Sequence, residues 1–249
     1  MNVQSIFRWH EGVLEPLDYC DMTDTSIIVA DSWLVSDGLT LALELHRERF
    51  FATAPPAPDF WDAAVRAIPR TGDWFPRVEY HANGRWVFRL RSAPERYRST
   101  VLATWNGRDP RTSPRIKGPD LHAMLRIRTS VQPATEAILL SPEGFIVEGA
   151  YSGVLWWRGE ILCSPPAEFD RVDSVTARSV LTLATALGLD TLEEPVTPSE
   201  IEGTELWVVS ALHGIRIATE WIDGPALAEQ PGRLATWRAR LDKLRRPLP

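Results

Sequence analysis

The spacing of apolar residues predicts both helices and strands in the first hundred residues. LALELHRERFFATA carries apolar residues at helical spacing and ends before PPAP, and PDFWDAAVRAIP repeats this pattern with a proline stop. RVEYHANGRWVFRLR alternates polar and apolar residues on both sides of Asn83-Gly84, which predicts a β-hairpin. SIFRW and the mostly apolar run TDTSIIVADSWLV predict extended segments. Together these elements predict a small α/β unit.

After residue 119 the pattern predicts a strand meander. TEAILL, FIVEGAYSGVLWW and ILCSPP are separated by the turns PEG and RGE. DSVTARSVLTLATALG predicts a helix that ends at Gly188, and TPSE at residues 197–200 is a capping-box pattern for a short helix. ELWVVSALHGIRIATEWIDG predicts two more strands, and the basic residues 238–246 favour a final helix.

A segment rich in glycine, proline and charge separates these two regions. NGRDPRTSPRIKGP, residues 106–119, has the composition of a linker or an irregular active-site loop. We therefore expect a small domain at residues 1–105, an interdomain loop at 106–119 and a larger domain at 120–249.

Composition restricts the classes of function. Cys20 and Cys163 lie far apart without a metal-ligand spacing, so we expect two packing residues and no zinc or disulfide framework. The sequence has no apolar run of membrane length and no signal-peptide pattern, which favours a cytoplasmic location without a membrane partner. A net charge of -6 without a sustained basic face argues against nucleic acid as a partner.

Lysine is rare in this chain. Of the 27 basic residues only Lys117 and Lys243 are lysine. Arginine serves equally well for solubility and ion pairs, but it cannot form a Schiff base because its guanidinium stays protonated. A lysine retained in the interdomain loop is therefore a candidate for covalent chemistry, the alternative being chance survival in a chain that favours arginine.

Four separated segments resemble the class IV aminotransferase and aminodeoxychorismate lyase family, in the family's order. HRER, residues 46–49, resembles the family's HxxRL, and IKG, residues 116–118, resembles its catalytic-lysine segment. TEAILLSPEGFIVEGAYSGVLWWRGEILCSP follows the family's meander almost turn for turn, and ELWVVSALHGI resembles its late strand with a phosphate-binding turn. These segments span most of the chain.

This resemblance implies a fold, a cofactor and partners. The fold is the two-domain α/β (α+β) arrangement of fold-type IV enzymes, in which a small α/β domain joins a larger domain with a strand meander or pseudobarrel. The cofactor is pyridoxal 5'-phosphate (PLP), held in the cleft between the domains. The partners are a small-molecule amino substrate and a second copy of the chain in a homodimer.

The resemblance also assigns the catalytic residues. Lys117 would form the Schiff base with the cofactor's aldehyde and later act as the free amine that moves a proton. Glu148 matches the glutamate that keeps the pyridine nitrogen protonated. From its position alone, Glu148 is also consistent with an outward-facing strand residue in an ion pair.

The remaining predicted site residues are donors for the cofactor's phosphate. Arg49 has a guanidinium fork that suits two phosphate oxygens, although a surface arginine fits the same pattern. Helix N-termini bind phosphate through backbone N–H groups. The full set is Arg49, Ser174, Val175, Thr176, Ser210 and Ala211.

Departures from the family motifs leave the reaction open. The family's GDG-x-F-x-T appears as ADSWLV, so a threonine of the lyases has no counterpart, and an asparagine after the glutamate is Gly153. The short chain and the SAL turn at 210–212 favour slightly a lyase that converts 4-amino-4-deoxychorismate to 4-aminobenzoate and pyruvate. The alternatives are a transaminase acting on an amino acid and a 2-oxo acid, and a degenerate PLP-binding protein.

Overall fold

A computed structural model describes residues 4–17 and 26–249, and five helices and seventeen strands are assigned in them. The strands are β1 Gln4–His10, β2 Val13–Pro16, β3 Ile27–Ser32, β4 Val35–Ser36, β5 Leu39–Thr40, β6 Asp73–Trp74, β7 Arg77–His81, β8 Trp86–Arg91, β9 Ser99–Thr104, β10 Glu136–Leu140, β11 Ile146–Gly149, β12 Gly153–Arg158, β13 Ile161–Ser164, β14 Thr191–Glu193, β15 Glu205–Ser210, β16 Gly214–Ile222 and β17 Arg246–Pro247. The helices are α1 Leu43–Phe51, α2 Pro58–Arg66, α3 Leu121–Ser130, α4 Val175–Ala186 and α5 Arg233–Asp242, with a 3₁₀ turn at Pro198–Ile201.

The chain divides into two compact units. The first comprises Met1–Glu95, Ile116–Pro119 and Leu244–Pro249, and the second comprises Arg96–Arg115 and Asp120–Lys243. The main part of the first unit ends at Glu95, ten residues before the expected end of the small domain at 105, and β9 belongs to the second unit, where it pairs in parallel with β10 and β16. The cofactor cleft expected between the domains stays a prediction.

The first unit contains a five-stranded antiparallel sheet in the order β2-β1-β8-β7-β3 and a small sheet in the order β17-β5-β4-β6. Asn83-Gly84 joins β7 and β8, which confirms the predicted hairpin; Gly84 has the positive φ of +79° that such a turn requires. Helices α1 and α2 confirm the two predicted helices. They bury Phe50 and Trp61 beside Trp33 in an aromatic core.

The second unit contains one eight-stranded sheet in the order β11-β10-β9-β16-β15-β12-β13-β14. Strands β10 to β13 confirm the predicted meander, and a backbone bridge between Gly149 and Ser152 links β11 at one edge to the start of β12, so the sheet curls. Helix α4 and the capping box at Thr197 are also as predicted. The core of this unit includes Trp156 and the fully buried Cys163, which packs as expected; Cys20 lies outside the described residues.

Two helices differ from the sequence prediction. Helix α3 was not predicted: its apolar residues Met124 and Ile127 pack against Leu139 of β10. Helix α5 starts at Arg233 and ends at Asp242, whereas a helix was expected over 238–246, because residues 246–247 pair with β5 instead. Within the described residues, no helix has both the length and the apolar character needed to cross a bilayer.

Candidate active site

Arg49 is held by a buried aspartate at the end of β3. Asp31 accepts hydrogen bonds from Nε and Nη2 of Arg49, both at 2.8 Å, and a third from Nδ1 of His46 at 2.8 Å. The Arg49 side chain is 14% exposed, so it is not a surface arginine. The Nε–Nη2 edge of its guanidinium pairs with Asp31.

In this cluster Asp31 and Arg49 are the charged side chains, and His46 is neutral. Burial opposes ionisation of Asp31, but Arg49 and His46 hold the pKa of that carboxyl well below its usual value. Burial lowers the pKa of His46 against the opposing effect of Asp31, and the charges of Arg49 and Lys117 lower it further. A carboxylate only accepts hydrogen bonds, so neutral His46 donates from Nδ1 and keeps Nε2 as an acceptor.

Lys117 is tied to the same strand. The amide of Ala30, which precedes Asp31, donates to the carbonyl oxygen of Lys117 at 2.7 Å. The next residue, Gly118, has φ of +132°, and a Cβ there would lie 2.5 Å from the Ala30 nitrogen. Only glycine allows the backbone to approach β3 this closely. The first unit therefore brings together two of the predicted site residues, Lys117 and Arg49.

Glu148 lies on β11 of the second unit and is buried, with its side chain 7% exposed. Its Oε1 accepts hydrogen bonds from Arg111 Nη1 and from the amide of Val172, the latter at 3.2 Å. Among residues 4–17 and 26–249, no hydrogen bond reaches Oε2. Burial raises the pKa of Glu148 to about 7, against the opposing effect of Arg111. Glu148 is thus an inward-facing residue in an ion pair.

Arg111, which sequence reasoning did not select, is the partner of Glu148. Its guanidinium also donates to the carboxylate of Asp109 at 2.7–3.0 Å and to the carbonyl of Asp170 at 3.1 Å. In the sequence, Arg111 is indicated by its position in residues 106–119, the segment predicted to form a linker or an irregular active-site loop. Nothing local in the sequence identifies Glu148, 37 residues away, as its partner.

The predicted phosphate donors of the helix lie at the first residues of α4. Ser174 is the N-cap, and its hydroxyl accepts from the amide of Ala177. Val175 and Thr176 are buried and begin the helix, so their amides are among the donors that an α-helix leaves without an internal acceptor. Gly153 permits this helix start to lie close, since a Cβ there would be 3.2 Å from that of Ser174.

The predicted turn at Ser210 and Ala211 lies beside this helix start. Ser210 ends β15, and its hydroxyl accepts from the amide of His213 at 3.3 Å. Gly153 pairs with Val209, the residue before Ser210, and a Cβ on Gly153 would meet the side chains of both Ser174 and Val209. Within the second unit, strand β12 therefore brings both groups of predicted phosphate donors together.

Comparison with known proteins concerns the family and the fold. The family model for amino-transferase class IV matches residues 29–221, a range that contains every predicted site residue. A probable branched-chain-amino-acid aminotransferase from Synechocystis sp. is 27% identical over 107 residues, which are 41% of this chain and 35% of that relative. The match thus spans about a third of the relative's length.

Solved structures share the fold over nearly the whole chain. A hypothetical aminotransferase from Mycobacterium tuberculosis in its PLP-bound form is 18% identical with a TM-score of 0.78, covering 97% of this chain and 98% of that one. The branched-chain aminotransferase from Thermoproteus uzoniensis with norvaline is 20% identical with a TM-score of 0.79, covering 98% of this chain and 100% of that one. These likenesses confirm the predicted fold-type IV arrangement. Because the family model matches more than half of the chain, this protein belongs to the class IV aminotransferase family, as its sequence predicted.

Proposed function

We propose that this protein is a PLP-dependent transaminase that moves an amino group between an amino acid and a 2-oxo acid. PLP as cofactor follows from membership in the class IV family. The observation that carries the proposal is the burial and hydrogen bonding of the Glu148 side chain. It is a buried carboxylate anchored through one oxygen, while the other makes no hydrogen bond within the described part of the chain.

The residues present fit the chemistry of this cofactor. PLP needs an amine for its aldehyde, a partner for its pyridine nitrogen and several donors for its phosphate. Lys117 supplies the amine, and Glu148 supplies a carboxylate oxygen. Arg49, the first amides of α4 and the Ser210 turn supply cationic and neutral donors for an anion.

When bound, the cofactor supplies an electron sink for the electrons released as the substrate's Cα–H bond breaks. In the proposed reaction the amine of Lys117 takes the proton from Cα and returns it during transfer of the amino group. Glu148 holds a proton on the ring nitrogen, which keeps the sink effective. Asp31 orients Arg49 through two hydrogen bonds, and Arg49 would supply positive charge for the phosphate.

The transaminase reaction is better supported than the lyase reaction that the sequence slightly favoured. The relatives named above are all described as aminotransferases, the one from Thermoproteus uzoniensis as a branched-chain aminotransferase and the one from Synechocystis as a probable one. The threonine of the lyases has no counterpart here. We therefore propose branched-chain amino acids as the first donors to test. The homodimer stays a prediction from the resemblance.

The chain's two lysines make the covalent assignment testable. Borohydride treatment of the PLP-loaded protein, followed by peptide mass spectrometry, is expected to place the reduced cofactor on Lys117. Lys243→Arg serves as the matched control and should retain the label, whereas Lys117→Arg should lose it. A label on Lys243, or none, would contradict the assignment.

The reaction is tested by the visible spectrum of the same protein. Branched-chain amino acids should abolish the absorption of lysine-bound cofactor and yield pyridoxamine phosphate, and a 2-oxo acid should restore it. Release of pyruvate from 4-amino-4-deoxychorismate without pyridoxamine phosphate would instead identify the lyase reaction.

A further inference from the structure

Arg111 makes an unusually complete set of contacts for a side chain on an irregular loop. Its side chain is only 5% exposed. Nε donates to Asp109, Nη2 donates to Asp109 and to the carbonyl of Asp170, and Nη1 donates to Glu148 and, at 3.4 Å, to the carbonyl of Pro114. A guanidinium that meets an acceptor from every nitrogen has little freedom to turn.

These contacts restrict Glu148 as well. Arg111 and the Val172 amide both bind Oε1, so the carboxylate is anchored by one oxygen. Glu148 lines a cavity of about 310 Å³ together with Gly153, Val172 and Ala177, the last of which is in the first turn of α4. The fixed oxygen thus determines how the carboxylate presents Oε2.

The positive charge of Arg111 also affects the ionisation of Glu148. A buried carboxyl favours its neutral form unless a cation lies beside it. Among the cations that lower the pKa of Glu148, Arg111 has the largest effect and Arg171 a smaller one. Without Arg111, the pKa of the carboxyl is expected to rise further, so that at neutral pH the group would lose the charge that would retain a proton on a ring nitrogen.

We propose that Arg111 is a positioning residue that keeps Glu148 ionised and turns its Oε2 towards the ring nitrogen of the cofactor. This inference rests on the proposed function. It is distinct from a general role in fastening loops, because a neighbouring arginine performs that role without touching Glu148. Arg115, 54% exposed, donates to Asp170 and to the carbonyls of Ala167 and Glu168.

The test compares two cofactors that differ only at the ring nitrogen. Binding of PLP and of its 1-deaza analogue, in which C–H replaces the nitrogen, is measured by quenching of tryptophan fluorescence at neutral pH. Both ligands bond lysine and present the same phosphate, so the ratio of their Kd values reports the ring nitrogen alone. We expect the unmodified protein to bind PLP about tenfold or more tighter, as a charge-assisted hydrogen bond predicts.

Arg111→Met is expected to reduce this ratio to near one, as is Glu148→Gln, whereas Arg115→Met should leave the ratio unchanged. Arg111→Lys keeps the positive charge but lacks the planar guanidinium with its several N–H donors, and should therefore give an intermediate ratio. If Arg111→Met does not fold, a ratio for Arg111→Lys equal to that of the unmodified protein would overturn the proposal.

The outcomes separate this inference from the proposed function. An unchanged ratio in Arg111→Met, or an equal loss in Arg115→Met, overturns the positioning role while cofactor use stands. If the unmodified protein binds neither ligand, the proposed function fails, and the inference fails with it.

Discussion

Replacing Asp31 by asparagine tests whether the buried cluster on β3 stabilises the first unit. The carboxylate accepts from Arg49 twice, from His46 and from the amide of Ser32, at 2.7–2.8 Å. Asparagine has nearly the same shape, but its NH₂ group would face a donor. The variant therefore changes charge and hydrogen bonding with little change in volume.

The expected loss follows from the burial of the pair. Removing one partner of a buried ion pair costs about 3–5 kcal/mol, because the other charge is left uncompensated. Arg49 keeps 14% exposure, so we expect the lower end, about 3 kcal/mol. For a chain of this size that corresponds to a fall in Tm of about 6–12 °C.

Urea denaturation of the cofactor-free protein at neutral pH measures the change in the free energy of unfolding. The control is Arg47→Met, on the same helix, because Arg47 pairs with Glu44 at 3.7 Å on the exposed face and should contribute less than about 1 kcal/mol. A loss in Asp31→Asn no larger than in this control would refute the reasoning.

The pH dependence provides a second check on Asp31. Its pKa is lowered in the folded protein, so the unfolded chain binds more protons at acid pH and the stabilisation is complete only above the ordinary pKa of about 4. The difference in stability between the two proteins should therefore be constant near neutrality and shrink as the pH falls below about 4. A difference that grows in acid would contradict the assigned charge.

Three further predictions concern glycines and pH. Gly118→Ala should lower the free energy of unfolding by about 2 kcal/mol or more, because φ is +132° and the new Cβ would lie 2.5 Å from the Ala30 nitrogen; an unchanged denaturation midpoint contradicts this. Gly153→Ala should weaken PLP binding, because its Cβ would lie 3.2 Å from that of Ser174; an equal Kd is the contrary result. PLP affinity should also fall below about pH 7, where the Glu148 carboxyl, with its pKa raised to about 7, becomes neutral, whereas a Kd independent of pH would exclude this.

Local patterns predicted much of the fold. The Asn83-Gly84 hairpin, α1, α2, α4 and the meander depend on neighbouring residues, and the structure confirms them. Strand β9 and helix α3 depend on distant ones. The β9 strand pairs in parallel with β10, more than thirty residues later, and α3 is stabilised by packing of Met124 on that sheet. Such pairings have no short-range signal.

The same distinction applies to the candidate site. Motif resemblance selected Lys117, Glu148 and Arg49, but it did not select the residues that hold them. Asp31 was detectable, since ADS shares its aspartate with the family's GDG. Arg111 was not, because its role depends on a partner 37 residues away.

Strand β3 fixes two functional groups through adjacent residues, since Ala30 holds the backbone of Lys117 and Asp31 holds Arg49. In laboratory evolution, strand β3 should therefore tolerate substitutions less well than the loop that precedes Lys117. Libraries that vary the composition of residues 106–108, which precede Asp109 and Arg111, are expected to yield many clones that still capture PLP, because the tether at Ala30 is untouched. A single proline at position 30 removes the tethering amide, and few such clones should survive a screen for cofactor capture.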